Sequence, residues 1–186
     1  MEEVLGQQSE SVQTFLLRTS ILDRMCGPLC DAVLLDPSAS GQETLEYIEQ
    51  ANLFIVPLDN ERRRYRYHHL LADLLRQRLQ RSGTLSTGKE KGGVDELHRR
   101  ASEWYEQNDL PSDAIRHALA AEDFARAAGL VELIMPAMSR NRQFATLLGW
   151  LKALPDKLVR VRPVLCYGYA LASMACGEND GVESRL

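Results

Sequence analysis

The sequence lacks the cysteine patterns that hold metals or form disulfide frameworks. Its four cysteines, Cys26, Cys30, Cys166 and Cys176, are spaced C-x3-C and C-x9-C. Neither spacing fits a zinc ribbon or a redox C-x-x-C motif, and no histidine lies close enough in sequence to complete a metal set. We therefore predict no metal site and four buried free thiols in a reducing compartment.

Long apolar runs and an excess of positive charge are also missing. No signal peptide and no run of membrane-spanning length is present, so we expect a cytoplasmic protein without a membrane partner. The formal net charge is −4 and argues against a general nucleic-acid binder. With 45% hydrophobic and 26% charged residues, the 186-residue chain has the composition of one or two ordinary globular domains.

The residue sets of common active sites are absent as well. No Ser-His-Asp order, paired carboxylates or metal cluster can be placed, and His98 and His117 are predicted to be partly exposed packing residues. The run Gly83–Glu90 nearly spells a P-loop, but Glu90 replaces the hydroxyl residue that Mg²⁺ requires, and the run follows a helix instead of a strand. We predict a flexible linker there, no catalytic residue and no cofactor bound by this chain itself.

What the chain does have is a stretch, Tyr65–Leu79, that changes from strand to helix periodicity. Tyr65 and Tyr67 alternate with arginines, and five leucines then form one apolar stripe of a helix, Leu70, Leu71, Leu74, Leu75 and Leu79. His68 and His69 lie at the changeover, where a helix N-terminus favours anions. Two roles fit this spacing: donation of a hydrogen bond to a nucleotide phosphate, and helix capping or packing.

Before this stretch the spacing of apolar residues predicts a winged-helix domain over residues 1–82. The domain consists of short helices followed by one β-hairpin, and Pro57 makes that hairpin an edge feature. Ser40 and Glu43 have capping-box spacing. Helices are predicted from Ser9, over Ile21–Met25 up to a break at Gly27–Pro28, over Leu29–Leu35, and over Gln42–Ala51; the strands are Leu53–Leu58 and Arg64–Tyr67.

After a glycine-rich linker, residues 83–93, the chain reads as helices only. Residues 94–186 are predicted to form the start of a TPR-like α-helical hairpin array, so the fold class is mostly α. Five helices are predicted, the first ending at Asn108–Asp109, the second opening at Pro111, the third ending near Pro136, the fourth over Phe144–Leu151 and the fifth over Leu165–Cys176. A polar loop follows at Gly177–Gly181, where the next repeat is missing, so we expect a truncated piece of a longer protein.

The basic segment beside His68 has two interpretations. Seven arginines against two acids, a net +5, lie between Glu61 and Arg81. On a hairpin, Arg62–Arg66 suits either a DNA-contacting wing or a charge-protected edge strand. The helix in the position of a recognition helix, Gln42–Ala51, carries three glutamates and no Lys or Arg. This favours the protected edge.

Several segments along the chain form an ordered set of motifs: Phe15–Arg24, Gly27–Asp31, Ala51–Asp59, Tyr65–Leu75, and Leu97–Glu106 with Ala114–Ala120. Taken in order, they resemble the MalT-like family of large ATP-dependent LuxR-type transcriptional activators. The resemblance covers nearly the whole chain and thins after about Val161. Position 109 is aspartate where the family pattern has glycine in a helical turn.

The resemblance implies a role in nucleotide-controlled transcription. Members carry a nucleotide-binding domain upstream, a TPR-like sensor for an inducer, self-association on activation, and a C-terminal helix-turn-helix that binds DNA. ATP or ADP with Mg²⁺ is therefore expected only in the intact protein. This chain would be the segment that couples nucleotide state to inducer sensing. A stand-alone winged-helix DNA binder and a TPR-like scaffold remain the alternatives.

The run Tyr67–Leu71 is similar to the Met-His-Asp-Leu-Leu run of the related NB-ARC ATPases. There the histidine lies in the winged-helix domain and contacts the phosphate of bound ADP in the resting state. That role falls on His68 in this chain. His69 replaces the acidic residue of the run and is the weaker candidate.

Overall fold

The structure, a computed structural model, describes residues 6–35, 40–85 and 93–178. The chain divides into two compact units, residues 1–101 and 102–186. Within the described ranges, helices and a single two-stranded antiparallel sheet form all the regular structure. The predicted mostly α fold with a winged-helix arrangement is confirmed.

From Ser9 onward, the described part of the first unit has three short helices followed by a hairpin. Ser9 and Ser40 cap two of the helices, because each hydroxyl accepts a backbone N–H bond, from Val12 and Glu43 respectively. The predicted helix start at Ser40 is thus confirmed. The elements are α1 (Glu10–Thr19), α2 (Gly27–Leu34), α3 (Gly41–Gln50), β1 (Ile55–Pro57), β2 (Tyr65–Tyr67), α4 (His69–Leu85) and α5 (Val94–Gln107).

The helix predicted over Ile21–Met25 is wrong. Met25 instead forms an isolated bridge with Tyr65, the two backbones exchanging N–H···O bonds of 2.8 and 2.9 Å. Gly27 and Pro28 open α2 instead of ending a helix, since proline in a first turn gives up an N–H that has no helical partner there. A pairing across 40 residues therefore overrides the local helical spacing.

The hairpin has the faces that its alternation predicts. Val56 pairs with Arg66, and the flanking pairs are Ile55 with Tyr67 and Pro57 with Tyr65. Tyr65 and Tyr67 are buried, whereas Arg66 between them is exposed. The tyrosine face of β2 thus belongs to the core of the first unit and the arginine face to solvent.

Helices α2 and α3 meet at two glycines. The backbone N–H of Gly41 donates to the Asp31 carboxylate at 2.6 Å. A Cβ on Gly41 would lie 2.7 Å from the carbonyl oxygen of Gly27, and a Cβ on Gly27 would lie 2.7 Å from Cβ of Gln42. No side chain larger than hydrogen fits either position while the helices keep this approach.

Helix α4 follows the leucine stripe with one exception. Leu71 and Leu75 are buried, but Leu70 is 55% exposed and does not belong to the core face. The helix continues to Leu85, three residues into the predicted linker, because a helical run can outlast its apolar face by a turn. The rest of that linker, residues 86–92 with Glu90, lies outside the described residues.

Over its described residues, 102–178, the second unit contains the end of α5 and five further helices. Helix α6 packs against α7, and α8 packs against α10. The third helix was predicted to end near Pro136, but α7 continues past this residue to Arg140. The nearby Met135 and Met138 are buried, and their packing stabilises this part of the helix. The sequence did not predict α9. The helices are α6 (Pro111–Ala120), α7 (Phe124–Arg140), α8 (Phe144–Ala153), α9 (Asp156–Arg160) and α10 (Pro163–Cys176).

Three connections in this unit share one turn. Asp109, Glu122 and Arg142 each adopt a left-handed backbone with φ near +55°. The residue after each donates its N–H to a carbonyl five residues earlier, as in a Schellman motif, for example Asp123 to Ala118 at 3.0 Å. The left-handed ending predicted around Asp109 is confirmed, although glycine is absent there.

Glu122→Gly is expected to stabilise the second unit by about 0.5–1 kcal/mol. A left-handed conformation costs a non-glycine residue about 1–2 kcal/mol, and glycine removes this cost. The extra conformational freedom of glycine in the unfolded chain offsets about half of that stabilisation. Urea unfolding followed by tryptophan fluorescence measures the effect, because both tryptophans, Trp104 and Trp150, lie in this unit. Glu122→Ala is the control, since it removes the side chain and keeps the strain; equal stability of the two variants would contradict the prediction.

Candidate functional site at the strand-to-helix junction

His68 ends the hairpin and caps the following helix. Its backbone N–H donates to the carbonyl oxygen of Phe54 at 2.8 Å, which extends the β1–β2 ladder by one bond. Its own carbonyl oxygen accepts N–H bonds from Leu71 at 2.9 Å and Ala72 at 3.0 Å, which begin α4. The backbone of His68 is therefore fixed from both sides.

The two imidazoles at this junction point to solvent. His68 and His69 are exposed, and their ring centroids lie 4.3 Å apart at an interplanar angle of 35°. In the part of the chain that the structure describes, neither ring hydrogen-bonds to another side chain. The two histidines lie between β2 and α4, where the sequence predicts them. Contact of His68 or His69 with a phosphate stays a prediction.

A buried hydroxyl pair anchors the strand just before His68. Thr19 Oγ1 lies 2.7 Å from both the Phe15 carbonyl oxygen and the Tyr67 hydroxyl. Because the single Thr19 proton goes to the carbonyl, the tyrosine hydroxyl donates to Thr19. Burial raises the pKa of the Tyr67 phenol, so that this group stays a neutral donor. The pair fixes the position of β2 against α1.

Thr19→Val is expected to destabilise the first unit by about 1–3 kcal/mol, because it leaves a buried phenol without its acceptor. Tyr67→Phe should cost only about 1 kcal/mol, since Thr19 keeps its bond to Phe15. Urea unfolding followed by far-UV circular dichroism compares the two variants. A larger loss for Tyr67→Phe would contradict the assignment of donor and acceptor.

Helix α3 presents carboxylates where a recognition helix would present donors. Glu43 and Glu46 are exposed. Glu49 is half-buried, accepts a bond from the Tyr65 hydroxyl at 3.3 Å and lies 3.5 Å from Arg62 Nε. Burial and the Glu49 carboxylate raise the pKa of Tyr65. The geometry thus supports the charge-protected edge over a DNA-reading wing.

We expect this chain to bind DNA without sequence preference and only at low salt. Direct readout needs donors in the major groove, whereas α3 carries Glu43 and Glu46. Weak attraction through exposed arginines should disappear between about 50 and 200 mM salt. A gel-shift titration on promoter and scrambled DNA measures both properties, with Arg64→Ala as the matched variant that weakens the residual binding. Selective binding at about 150 mM salt would contradict the prediction.

The cysteines are only in part the buried thiols predicted. Cys30 is buried, and burial raises the pKa of its thiol and that of half-buried Cys26. Cys176 is exposed because it lies in the last turn of α10, and Cys166 is half-buried. Over residues 6–35, 40–85 and 93–178, no group of His, Cys, Asp and Glu is arranged to hold a metal ion.

His117 was wrongly predicted to be partly exposed. It is buried in the second unit and stacks on Tyr105 with ring centroids 5.3 Å apart. Arg116 Nη2 lies 3.4 Å from its Nε2. The signal was present in the sequence, because His117 follows Ala114 by three residues and so shares the inner face of α6. His98, by contrast, is partly exposed, as predicted.

Comparison with known proteins identifies the family of the first part of the chain. Residues 1–86 match the family model described as the MalT winged helix domain. The bridge, hairpin and helices described above define this class of domain structurally, and this part of the chain belongs to the MalT winged helix domain family. The resemblance predicted from the sequence is confirmed.

Relatives match nearly the whole chain. The serine/threonine-protein kinase PknK of Mycobacterium tuberculosis (strain H37Rv) is 35% identical over 173 residues, which are 93% of this chain and 15% of that protein. The HTH-type transcriptional regulator MalT of Yersinia pestis (strain Pestoides F) is 33% identical over 165 residues, 89% of this chain and 17% of that protein. The chain thus spans about a sixth of the length of these curated relatives. None of the helices that the structure describes is long and apolar enough to cross a bilayer.

Proposed function

We propose that this chain is the regulatory segment of a MalT-like transcription regulator and reports the nucleotide state of an upstream nucleotide-binding domain. The observation that carries the proposal is the exposed His68 imidazole on a backbone fixed by Phe54 on one side and α4 on the other. A fixed backbone with a free donor suits a sensor, because a contact with a ligand costs little ordering.

The charges around His68 favour a phosphate group. The N-terminus of α4, a 17-residue helix, contributes partial positive charge directly behind the two imidazoles. A phosphate of ADP, held with Mg²⁺ by the upstream domain, would accept a bond from His68 in the resting state. His69 lies beside His68, with the two ring planes tilted by 35°, and is the weaker candidate for the same phosphate.

The second unit supplies the other half of the coupling. Buried alanines let its helices approach closely, as in TPR-like arrays: Ala114, Ala118, Ala127 and Ala128. We assign inducer binding and self-association to the superhelix that this unit would begin. DNA binding falls to a C-terminal LuxR-type helix-turn-helix, which is consistent with the acidic α3 of this chain.

Nucleotide retention in the full-length protein tests the proposal. His68→Ala should speed ADP dissociation by roughly tenfold to a hundredfold, the equivalent of one hydrogen bond to a charged group at about 1.5–3 kcal/mol. His98→Ala, which changes a partly exposed histidine on α5, is the matched control. Wild-type ADP dissociation from a folded His68→Ala protein would refute the sensor role.

A further inference from the structure

A cavity of about 390 Å³ lies between α1, α2 and α3 of the first unit. Its volume falls within the range of small-molecule sites, about 300–1,000 Å³. Val12 and Phe15 of α1 and Leu34 of α2 form its apolar part, and hydroxyl and charged side chains complete the lining. A mixed lining of this kind suits a ligand that is apolar in one part and polar in another.

Two opposite charges line this cavity at the two ends of α1. Glu10 lies in the first turn of the helix and Arg18 in its last turn. They are separated by about 12 Å along the helix axis, at a rise of about 1.5 Å per residue. Within the described residues, neither charged group forms an ion pair. The half-buried Arg18 guanidinium is therefore available to an anion, and the exposed Glu10 carboxylate to a cation.

Hydroxyl groups line the space between the two charges. Ser11 and Thr14 share one side of α1 with Arg18, because they precede it by two turns and by one turn. Thr44 of α3 donates its proton to the Ser40 carbonyl oxygen at 2.9 Å, which leaves the lone pairs of its own oxygen as acceptors. These hydroxyls can hydrogen-bond to an extended peptide, whose N–H and C=O groups need partners once they leave water.

The charge balance of the lining disfavours an anionic ligand. Asp31 of α2 adds a second carboxylate, one oxygen of which accepts the N–H of Gly41 at 2.6 Å. The lining thus has two carboxylates and one guanidinium. A phosphate ester or a nucleic acid would meet more repulsion than attraction here. A ligand with one charge of each sign can pair with both ends of α1.

We propose that this cavity binds a free zwitterionic tripeptide with an apolar central side chain. Its carboxylate pairs with Arg18, its ammonium group faces Glu10, and its central side chain packs on Phe15 and Leu34. Three extended residues span about 10–11 Å, which matches the separation of the two charges, whereas a single amino acid or a dipeptide reaches only one of them. The inference does not depend on the nucleotide role proposed for His68.

Isothermal titration calorimetry of the full-length protein with the tripeptide Ala-Leu-Ala tests the site. We expect a dissociation constant below about 1 mM and roughly tenfold weaker binding of free leucine and of the dipeptide Ala-Leu. Amidation of the tripeptide carboxylate should weaken binding about tenfold, the effect of one hydrogen bond between charged groups. Arg18→Gln should have the same effect, and amidation should then have no further effect, because both changes remove one contact.

Two matched variants control for general effects of charge. Arg140→Gln changes an exposed arginine in the last turn of α7, and Glu43→Gln changes an exposed glutamate in the first turn of α3. Neither residue lines the cavity, so both variants should bind the tripeptide as the unchanged protein does. Glu10→Gln should weaken binding about threefold, since its carboxylate is exposed, and acetylation of the peptide ammonium group should have no further effect in that variant.

The remaining outcomes overturn the proposal. Equal binding of the free tripeptide and of one blocked at both ends would show that the end charges are not recognised. Equal binding of Ala-Leu would show that the site does not span Glu10 to Arg18. An amidation effect that persists in Arg18→Gln, with folding verified by far-UV circular dichroism, would place the carboxylate elsewhere. Equally tight binding of a blocked peptide with lysine and glutamate side chains would assign the cavity to a polypeptide segment, and no binding at about 1 mM would remove the site.

Discussion

Replacing His68 with alanine in the full-length protein is expected to raise transcription in the absence of inducer by roughly one to two orders of magnitude. The lost bond is worth about 1.5–3 kcal/mol because its partner is a charged phosphate. Each 1.4 kcal/mol changes a two-state equilibrium tenfold, so the closed, ADP-holding form loses that factor in population. A reporter gene driven by a target promoter, assayed without inducer, measures the effect.

The effect should come from the missing imidazole alone, because the substitution leaves the surrounding backbone unchanged. The His68 backbone is held by Phe54, Leu71 and Ala72, so truncation at Cβ leaves hairpin and helix in place. His69→Ala should give a smaller increase, because His69 replaces the acidic residue of the related run and is the weaker candidate for the phosphate contact. A His68→Ala protein with wild-type basal transcription and normal protein levels would show that the ring only packs at the surface.

Gly41→Ala is expected to destabilise the first unit by about 3 kcal/mol. The new Cβ would lie 2.7 Å from the Gly27 carbonyl oxygen, 2.8 Å from the Asp31 carboxylate and 2.9 Å from Cβ of Cys30. Two of these atoms belong to backbone or to the stem of a buried side chain, so α2 and α3 must move apart. Chemical unfolding followed by far-UV circular dichroism measures the loss.

A glycine-to-alanine substitution at a helical position with open space around it is expected to stabilise the protein instead. Gly129 in α7 has no atom within 4 Å of an added Cβ. Gly129→Ala should therefore stabilise the second unit by up to about 1 kcal/mol, the difference in helix propensity, as measured by tryptophan fluorescence. Stabilisation by both substitutions would mean that the approach of α2 to α3 is looser than the structure shows.

Local patterns predicted those parts of the fold whose causes lie within a few residues. Ser40 caps α3 because its hydroxyl reaches an amide three residues away. Tyr65 and Tyr67 are buried because alternate residues of a strand share a face. The position of His68 and His69 at the start of α4 followed from the change from strand to helix periodicity after Tyr67. The family resemblance followed from an ordered set of local segments.

The features that the sequence did not predict depend on residues far apart in the chain. Met25 leaves its helical spacing for a bridge with Tyr65, and Thr19 meets Tyr67 across 48 positions. Whether Leu70 is buried or exposed depends on what packs against α4, which no spacing within the helix can show. The exposure of Cys176 at the end of α10 has the same cause. Burial of His117 in α6 is different, because its spacing of three residues from buried Ala114 is a local signal.

The sequence by itself determined the class of domain, the order of its elements and the histidine that ends the hairpin, because these follow from periodicity, capping and the family's ordered motifs. Tertiary structure alone decided which side chains share the solvent face of the hairpin. Phe54, Val56 and Leu58 become a row beside Arg64, Arg66 and His68 only when β1 and β2 pair in one register. A shift of that register by one residue would turn each arginine toward the core, and the burial of Tyr65 and Tyr67 prevents this shift.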